Sequence, residues 1–232
     1  MRFSLSFSTP DRSRLDGAVT ALNEDRFASR LFAQDATLWG PAAEAESSIR
    51  LSWVGLAESS RPLVPEILAL RDELNARGIT RVVLCGMGGS SLAPEVICAA
   101  AGVPLDVLDS SQPDMVRSAI RDLESTVVVV SSKSGGTVET DSQRRVFEQA
   151  FADAGLSPAD HLVVVTDPGS PLDEQATEAG YRVFRADPNV GGRYSALTAF
   201  GLVPSGLAGA DIAGLLDEAA EVAPLLSRDD GN

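Results

Sequence analysis

Residues 126–140 read Thr126-Val127-Val128-Val129-Val130-Ser131-Ser132-Lys133-Ser134-Gly135-Gly136-Thr137-Val138-Glu139-Thr140. Four successive valines carry no polar face, which fits a parallel strand buried on both sides. The strand runs directly into a turn that holds five hydroxyls, two glycines and a lysine within the ten residues 131–140. Thr137 then stands where a helix begins, with Glu139 and Thr140 in its first turn. Strand, polar turn and helix in this order make one βα unit.

The same unit recurs on either side. Short Val- and Leu-rich strands are expected at Arg81–Cys85, Leu105–Leu108, Thr126–Ser131, Leu162–Thr166 and Arg182–Phe184. Helices are expected after them, at Ala93–Ala101, Asp114–Leu123, Thr137–Ala154, Leu172–Ala179 and Ser195–Leu202. Such alternation predicts an α/β fold with a five-stranded parallel sheet and helices on both faces. Residues 1–78 read as a mostly helical lead-in packed on that core, with Leu63, Ile67, Leu70 and Leu74 at helical spacing. Met1–Phe7 alternates like a short strand. Residues 79–204 form the α/β unit. Residues 205–232 supply a last helix, about Asp211–Leu226, and an exposed tail from Ser227.

Ligands of open parallel sheets gather at the carboxyl ends of the strands. Three turns at such ends have unusual composition. Gly86-Met87-Gly88-Gly89-Ser90-Ser91 offers glycines for close backbone approach and two hydroxyls at a helix start. Its plainer reading is a tight turn with a serine cap. Ser131–Thr140 can ring a phosphate with hydroxyls and amides; its plainer reading is a solvated turn. Asp187-Pro188-Asn189-Val190-Gly191-Gly192-Arg193-Tyr194-Ser195 carries a guanidinium suited to a developing oxyanion, or simply a surface arginine. The glycine orders match neither a dinucleotide fingerprint nor a nucleotide P-loop. His161 reads as a surface or capping residue, and Thr166–Pro171 as a turn and helix start.

The chain of 232 residues bears a formal charge of −14. Such acidity argues against a general nucleic-acid or anionic-membrane binder. It avoids the three turns: residues 82–93 hold no charge, residues 129–138 only Lys133, and residues 188–198 only Arg193. Residues 205–232 instead hold six acids and one base. No apolar run approaches the roughly 20 residues of a membrane span. Cys85 and Cys98 sit in apolar contexts, as reduced thiols of a cytoplasmic protein would. One histidine and no zinc-type cysteine spacing point to no metal site.

The three turns together resemble those of the phosphoglucose isomerase family, in its N-terminal sugar-isomerase (SIS) domain. The residues that carry the likeness are Gly86-Met87-Gly88-Gly89-Ser90, Ser132–Thr140 and Gly191-Gly192-Arg193-Tyr194-Ser195, within a stretch from about Arg81 to Leu202. Asp35-Ala36-Thr37-Leu38-Trp39-Gly40 looks like the lead-in of actinobacterial-type members, including forms fused to transaldolase. The resemblance implies a flavodoxin-like five-stranded SIS sheet and interconversion of glucose 6-phosphate and fructose 6-phosphate through a cis-enediol. It implies that Ser90, Ser132, Lys133 (through its amide), Ser134 and Thr137 hold the substrate phosphate, with Thr140 supporting that loop. It places Gly88, Gly89 and Gly192 beside the sugar and gives Arg193 the enediolate charge. It implies a homodimer, with a histidine supplied across the interface.

Three departures qualify this. The family more often has bulkier residues where Gly135 and Gly136 stand, which leaves glucose-versus-mannose preference open. The family's base is a glutamate well beyond the Gly-Gly-Arg loop, and its ring-opening histidine lies further on. Glu139 matches a motif glutamate near the phosphate loop, not that base. The expectation is therefore the N-terminal part of a longer isomerase, binding a sugar 6-phosphate with little or no turnover and missing its second SIS domain. The other candidates are a stand-alone SIS sugar-phosphate-binding regulatory module and a different SIS isomerase. Enediol chemistry moves protons only, so no cofactor is expected.

Overall fold

Alternate residues of a strand face opposite ways, and here both sets are apolar. Val82, Leu84, Val127, Val129, Val163 and Val165 belong to one buried cluster. Val83, Cys85, Val128, Val130, Leu162 and Val164 belong to the other. The sheet is thus sandwiched, as a parallel sheet with crossover helices must be. The protein is described here from a computed structural model, which covers residue 8 and residues 12–230. The alternation at Met1–Phe7 lies outside the described residues.

The lead-in comprises α1 (Arg12–Glu24), α2 (Phe27–Phe32), α3 (Pro41–Arg50), α4 (Leu56–Ser59) and α5 (Leu63–Ala76). The chain then alternates: β1 (Arg81–Gly86), α6 (Leu92–Ala101), β2 (Asp106–Leu108), α7 (Pro113–Ala119), β3 (Thr126–Ser131) and α8 (Val138–Asp153). It continues through β4 (Leu162–Thr166), α9 (Pro171–Glu178), β5 (Arg182–Arg185), α10 (Ala199–Leu207) and α11 (Ile212–Leu226). All pairings are parallel, in the order β2-β1-β3-β4-β5. The expected α/β class holds. One face is covered by α5, α10 and α11, through Ile67, Leu70, Leu74, Phe200, Leu202, Val203, Ile212 and Leu216. The other is covered by α8 and α9, through Phe147, Phe151, Leu172 and Ala176. No helix among the described residues is long and apolar enough to cross a membrane.

Four local features differ from expectation. The helix expected to reach Leu123 stops at Ala119. There Arg81 donates to the carbonyls of Ala119 and Arg121, at 3.1 and 2.8 Å, in place of the next helical turn. The helix expected at Ser195–Leu202 is two pieces: a 3₁₀ turn, Gly192–Leu197, and α10. Thr198 is extended between them and caps α10 by accepting from the Phe200 amide. His161 is buried rather than at the surface: it stacks on Phe151 at 4.8 Å, and its Nδ1 donates to the Thr126 carbonyl at 2.7 Å. Asp229, in the expected free tail, accepts from the amide and hydroxyl of Ser29 at 2.9 and 2.7 Å, and so ties the C-terminal segment to α2.

Candidate functional site

Strand order reverses direction between β1 and β3, the position where doubly wound sheets open a crevice. Gly86 and Ser131 close these strands as register partners, so the first two turns leave from adjacent points. Gly86 sits against this edge: a β-carbon on it would lie 3.2 Å from the Ser90 carbonyl oxygen and 3.4 Å from that of Ser131.

The first turn becomes a 3₁₀ segment at Gly88–Ser90, entered with Gly88 at φ +57°. Neither serine caps α6. The Ser91 hydroxyl donates back to the Gly88 carbonyl at 3.2 Å, and the Ser90 hydroxyl has no partner among the described residues.

The second turn is held by its backbone. The Ser132 amide donates to the Val165 carbonyl at 3.0 Å, and Thr166 Oγ1 donates to the Ser132 carbonyl at 2.7 Å. Gly135, at φ +69°, lies so close to α9 that a β-carbon would meet Leu172 N and Cβ at 2.8 Å. Glycine here is required on both counts. Thr137 occupies the cap position of α8 without capping it; its hydroxyl instead accepts from Ser132 Oγ at 3.3 Å. Ser134 Oγ accepts from the Gly136 amide at 3.3 Å. The Lys133 ammonium is turned away onto Asp167, at 2.9 and 2.7 Å from its two oxygens. The amides of Lys133, Ser134, Gly135 and Thr137 find no acceptor among the described residues. Thr140 is buried, and its hydroxyl has no hydrogen-bond partner among the described residues; the same holds for Ser131. Four free amides and a set of hydroxyls at the start of a sixteen-residue helix can serve chemically as an anion cradle.

The third turn starts at β5, three strands from β1, about 14 Å away at ordinary strand spacing. It nevertheless folds back to the first turn. A β-carbon on Gly89 would lie 2.5 Å from the Gly192 carbonyl oxygen, so the two backbones touch. Ser195 fixes the bend, its hydroxyl donating to the Gly192 carbonyl at 2.7 Å. Between these turns opens a cleft of about 830 Å³, bordered by Gly88, Gly89, Gly192, Arg193 and Tyr194, and across it by Glu46 and Arg50 of α3. Arg193 is exposed and makes no ion pair among the described residues. Ser132, Lys133, Ser134 and Thr137 do not border this cleft; they form the neighbouring cradle beyond the β1–β3 junction. Glu46 and Arg50 went unnoticed in the sequence. Their four-residue spacing on a helix is an ordinary surface pattern, and nothing in it points to the turns.

The family model of phosphoglucose isomerase matches residues 72–223, a span that contains all three turns. The chain belongs to the phosphoglucose isomerase family. It is 34% identical over 222 residues to the glucose-6-phosphate isomerase of Thermosynechococcus vestitus, an alignment that covers 89% of this chain and 41% of that protein. It is 38% identical over 182 residues to the Thermus thermophilus glucose-6-phosphate isomerase, covering 75% of this chain and 43% of the relative. Among solved structures, a hypothetical protein of Thermus thermophilus superposes with a TM-score of 0.77 at 32% identity, over 93% of this chain and 50% of that one. The glucose-6-phosphate isomerase of Chlamydia trachomatis superposes with a TM-score of 0.66 at 25% identity, over 91% and 45%. This phosphoglucose isomerase family chain thus spans less than half the length of the curated relatives named here.

Proposed function

We propose that the chain is the sugar-phosphate-binding N-terminal portion of a glucose-6-phosphate isomerase. In the whole protein, glucose 6-phosphate and fructose 6-phosphate interconvert through a cis-enediol. The cradle after β3 takes the phosphate: the hydroxyls of Ser132, Ser134 and Thr137 and the Lys133 amide converge there, joined by Ser90 from the adjacent turn. Thr140 lies beneath this loop. The sugar runs into the cleft beside Gly88, Gly89 and Gly192. Arg193 stabilises the enediolate, as a guanidinium beside developing negative charge does.

The contact of Gly89 with Gly192 carries this reading, since it sets the arginine turn beside the turn that abuts the anion cradle. The reaction also needs a base over the two carbons. The carboxylate that borders the cleft, Glu46, is held by Arg50 Nε at 2.8 Å and is engaged as an ion-pair partner. The base therefore belongs to the rest of the isomerase, a second SIS domain, along with the ring-opening histidine and the dimer contact. In this reading residues 1–78 brace the α/β unit of residues 79–204, and residues 205–232 lead onward. The work is cytoplasmic, within glycolysis and gluconeogenesis, and calls for no cofactor.

Calorimetry with fructose 6-phosphate, glucose 6-phosphate and unphosphorylated glucose tests it. Both phosphates are expected to bind and glucose not to. The pure chain is expected to give no measurable fructose 6-phosphate from glucose 6-phosphate. Robust turnover would refute the assignment of the base to another part.

A further inference from the structure

The turn that bears Arg193 is gripped from outside the α/β unit, at three successive points of the lead-in. Arg50 Nη1 donates to the Pro188 carbonyl at 2.9 Å, while its Nε is held by Glu46 at 2.8 Å. Leu51 forms an isolated antiparallel bridge with Val190, and both side chains are buried. Trp53 stacks on Tyr194, with ring centroids 5.1 Å apart and planes 18° from parallel. Residues 50–53 thus run alongside residues 188–194 as a short splint.

The turn needs such support. It leaves β5, crosses back over the sheet edge and ends at Thr198, and its own hydrogen bonds are short-range: Asn189 amide to Asp187, Val190 to Asp187, Tyr194 to Gly191. Two adjacent glycines raise the entropy that ordering must overcome. Arg193 lies directly between the last gripped residue and Gly192, so the grip holds the stretch of backbone from which its side chain springs.

The geometry points to Arg50 as a positioning residue, which acts on the sugar phosphate through Arg193 by fixing the Pro188–Tyr194 turn, together with Leu51 and Trp53. This rests on the binding role proposed above for Arg193. A guanidinium suits the task because its several N–H groups serve two acceptors in one plane. The alternative, Arg50 as a direct ligand of the sugar phosphate, predicts different energetics.

Two measurements on the full chain decide it, with R50A, R50K, R193A and the R50A/R193A double variant. In amide hydrogen exchange, R50A is expected to speed residues 189–195 while β1 and β3 keep their protection. In calorimetry with fructose 6-phosphate, R50A is expected to weaken binding about tenfold, the scale of one lost hydrogen bond to a charged group. R50K recovers part of this, since an ammonium still reaches the Pro188 carbonyl. The double variant binds no more weakly than R193A, because Arg50 then has nothing left to position. Unchanged exchange in R50A overturns the proposal, and so do additive losses in the double variant. Failure of the unmodified chain to bind any sugar phosphate defeats the function proposed above. The exchange experiment then decides the splint alone.

Discussion

Gly89 and Gly192 meet backbone to backbone, although the strands that lead to them stand three positions apart in the sheet. The gap left for a β-carbon on Gly89 is 2.5 Å, against an ordinary limit near 3.4 Å. The space around Gly192 is open, with no atom within 4 Å of its own missing β-carbon. One glycine is therefore obligatory for the contact and the other is not.

Gly89→Ala is expected to part the two turns and to cost about 1–3 kcal/mol, as overpacking does. Sugar-phosphate binding should fall with it. Gly192→Ala should stay within about 0.5 kcal/mol of the unmodified protein, as at an ordinary exposed position. Chemical denaturation of both variants checks the asymmetry. Equal losses would mean that the turns do not touch.

Thr140 keeps a buried hydroxyl without a partner among the described residues. Leaving such a group unpaired costs on the order of 1 kcal/mol or more. Thr140→Val removes the hydroxyl at nearly constant shape. The unfolding free energy should hold or rise by about 1 kcal/mol. Affinity for fructose 6-phosphate should fall severalfold if the hydroxyl supports the occupied loop. Unchanged affinity removes Thr140 from the site.

Lys133 spends its ammonium on Asp167, both side chains being about one-quarter exposed or less. In the proposed phosphate site its part then falls to its amide. Lys133→Ala should retain affinity within about threefold and lose no more than about 1 kcal/mol of stability. A loss beyond tenfold in a salt-dependent titration would give the role to the ammonium.

Asp35 accepts from the hydroxyl and amide of Thr37 at 2.6 and 2.9 Å, and from Arg30 at 2.7 Å. These donors, Thr37 first, lower its pKa from 3.8 to about 2. The charged form is the bonded one, so its stabilisation is complete above the unfolded value. It is lost as pH falls through 3.8 toward about 2. Asp35→Asn should flatten the acid limb of the stability profile in that window and leave pH 7 behaviour nearly parallel. An unchanged acid limb would show that this cluster is not formed in solution.

His161→Ala should cost about 2–4 kcal/mol, through the lost stack on Phe151 and the lost bond to Thr126. It should leave sugar-phosphate affinity unchanged in calorimetry. A specific loss of binding would contradict its purely structural placement.

Much was legible along the chain. Runs such as Val127–Val130 and Leu162–Val165 marked buried parallel strands, because both alternating sets are apolar. The hydroxyl-rich turn after Val130 and the Gly-Gly-Arg turn after β5 stood out as candidates by composition against a charged background. Less local features were not legible. Thr198 splits the expected helix, and past the break Gly201 lies so close to the Ala196 carbonyl oxygen that a β-carbon would stand 1.8 Å from it. His161 is buried because Phe151, ten residues earlier, comes round to stack on it.

The sequence by itself determined the βα alternation, the sandwiched sheet and the three candidate turns, because periodicity and turn chemistry are short-range properties of the chain. Only the tertiary structure decided which turns meet. Strand order puts Gly86 beside Ser131, and close packing of two glycine backbones brings Gly192 to Gly89. It likewise placed Arg50 and Trp53 of the lead-in against the turn of Arg193, across 135 or more residues of chain. Contacts between such distant segments depend on how whole layers dock, and no local pattern encodes that.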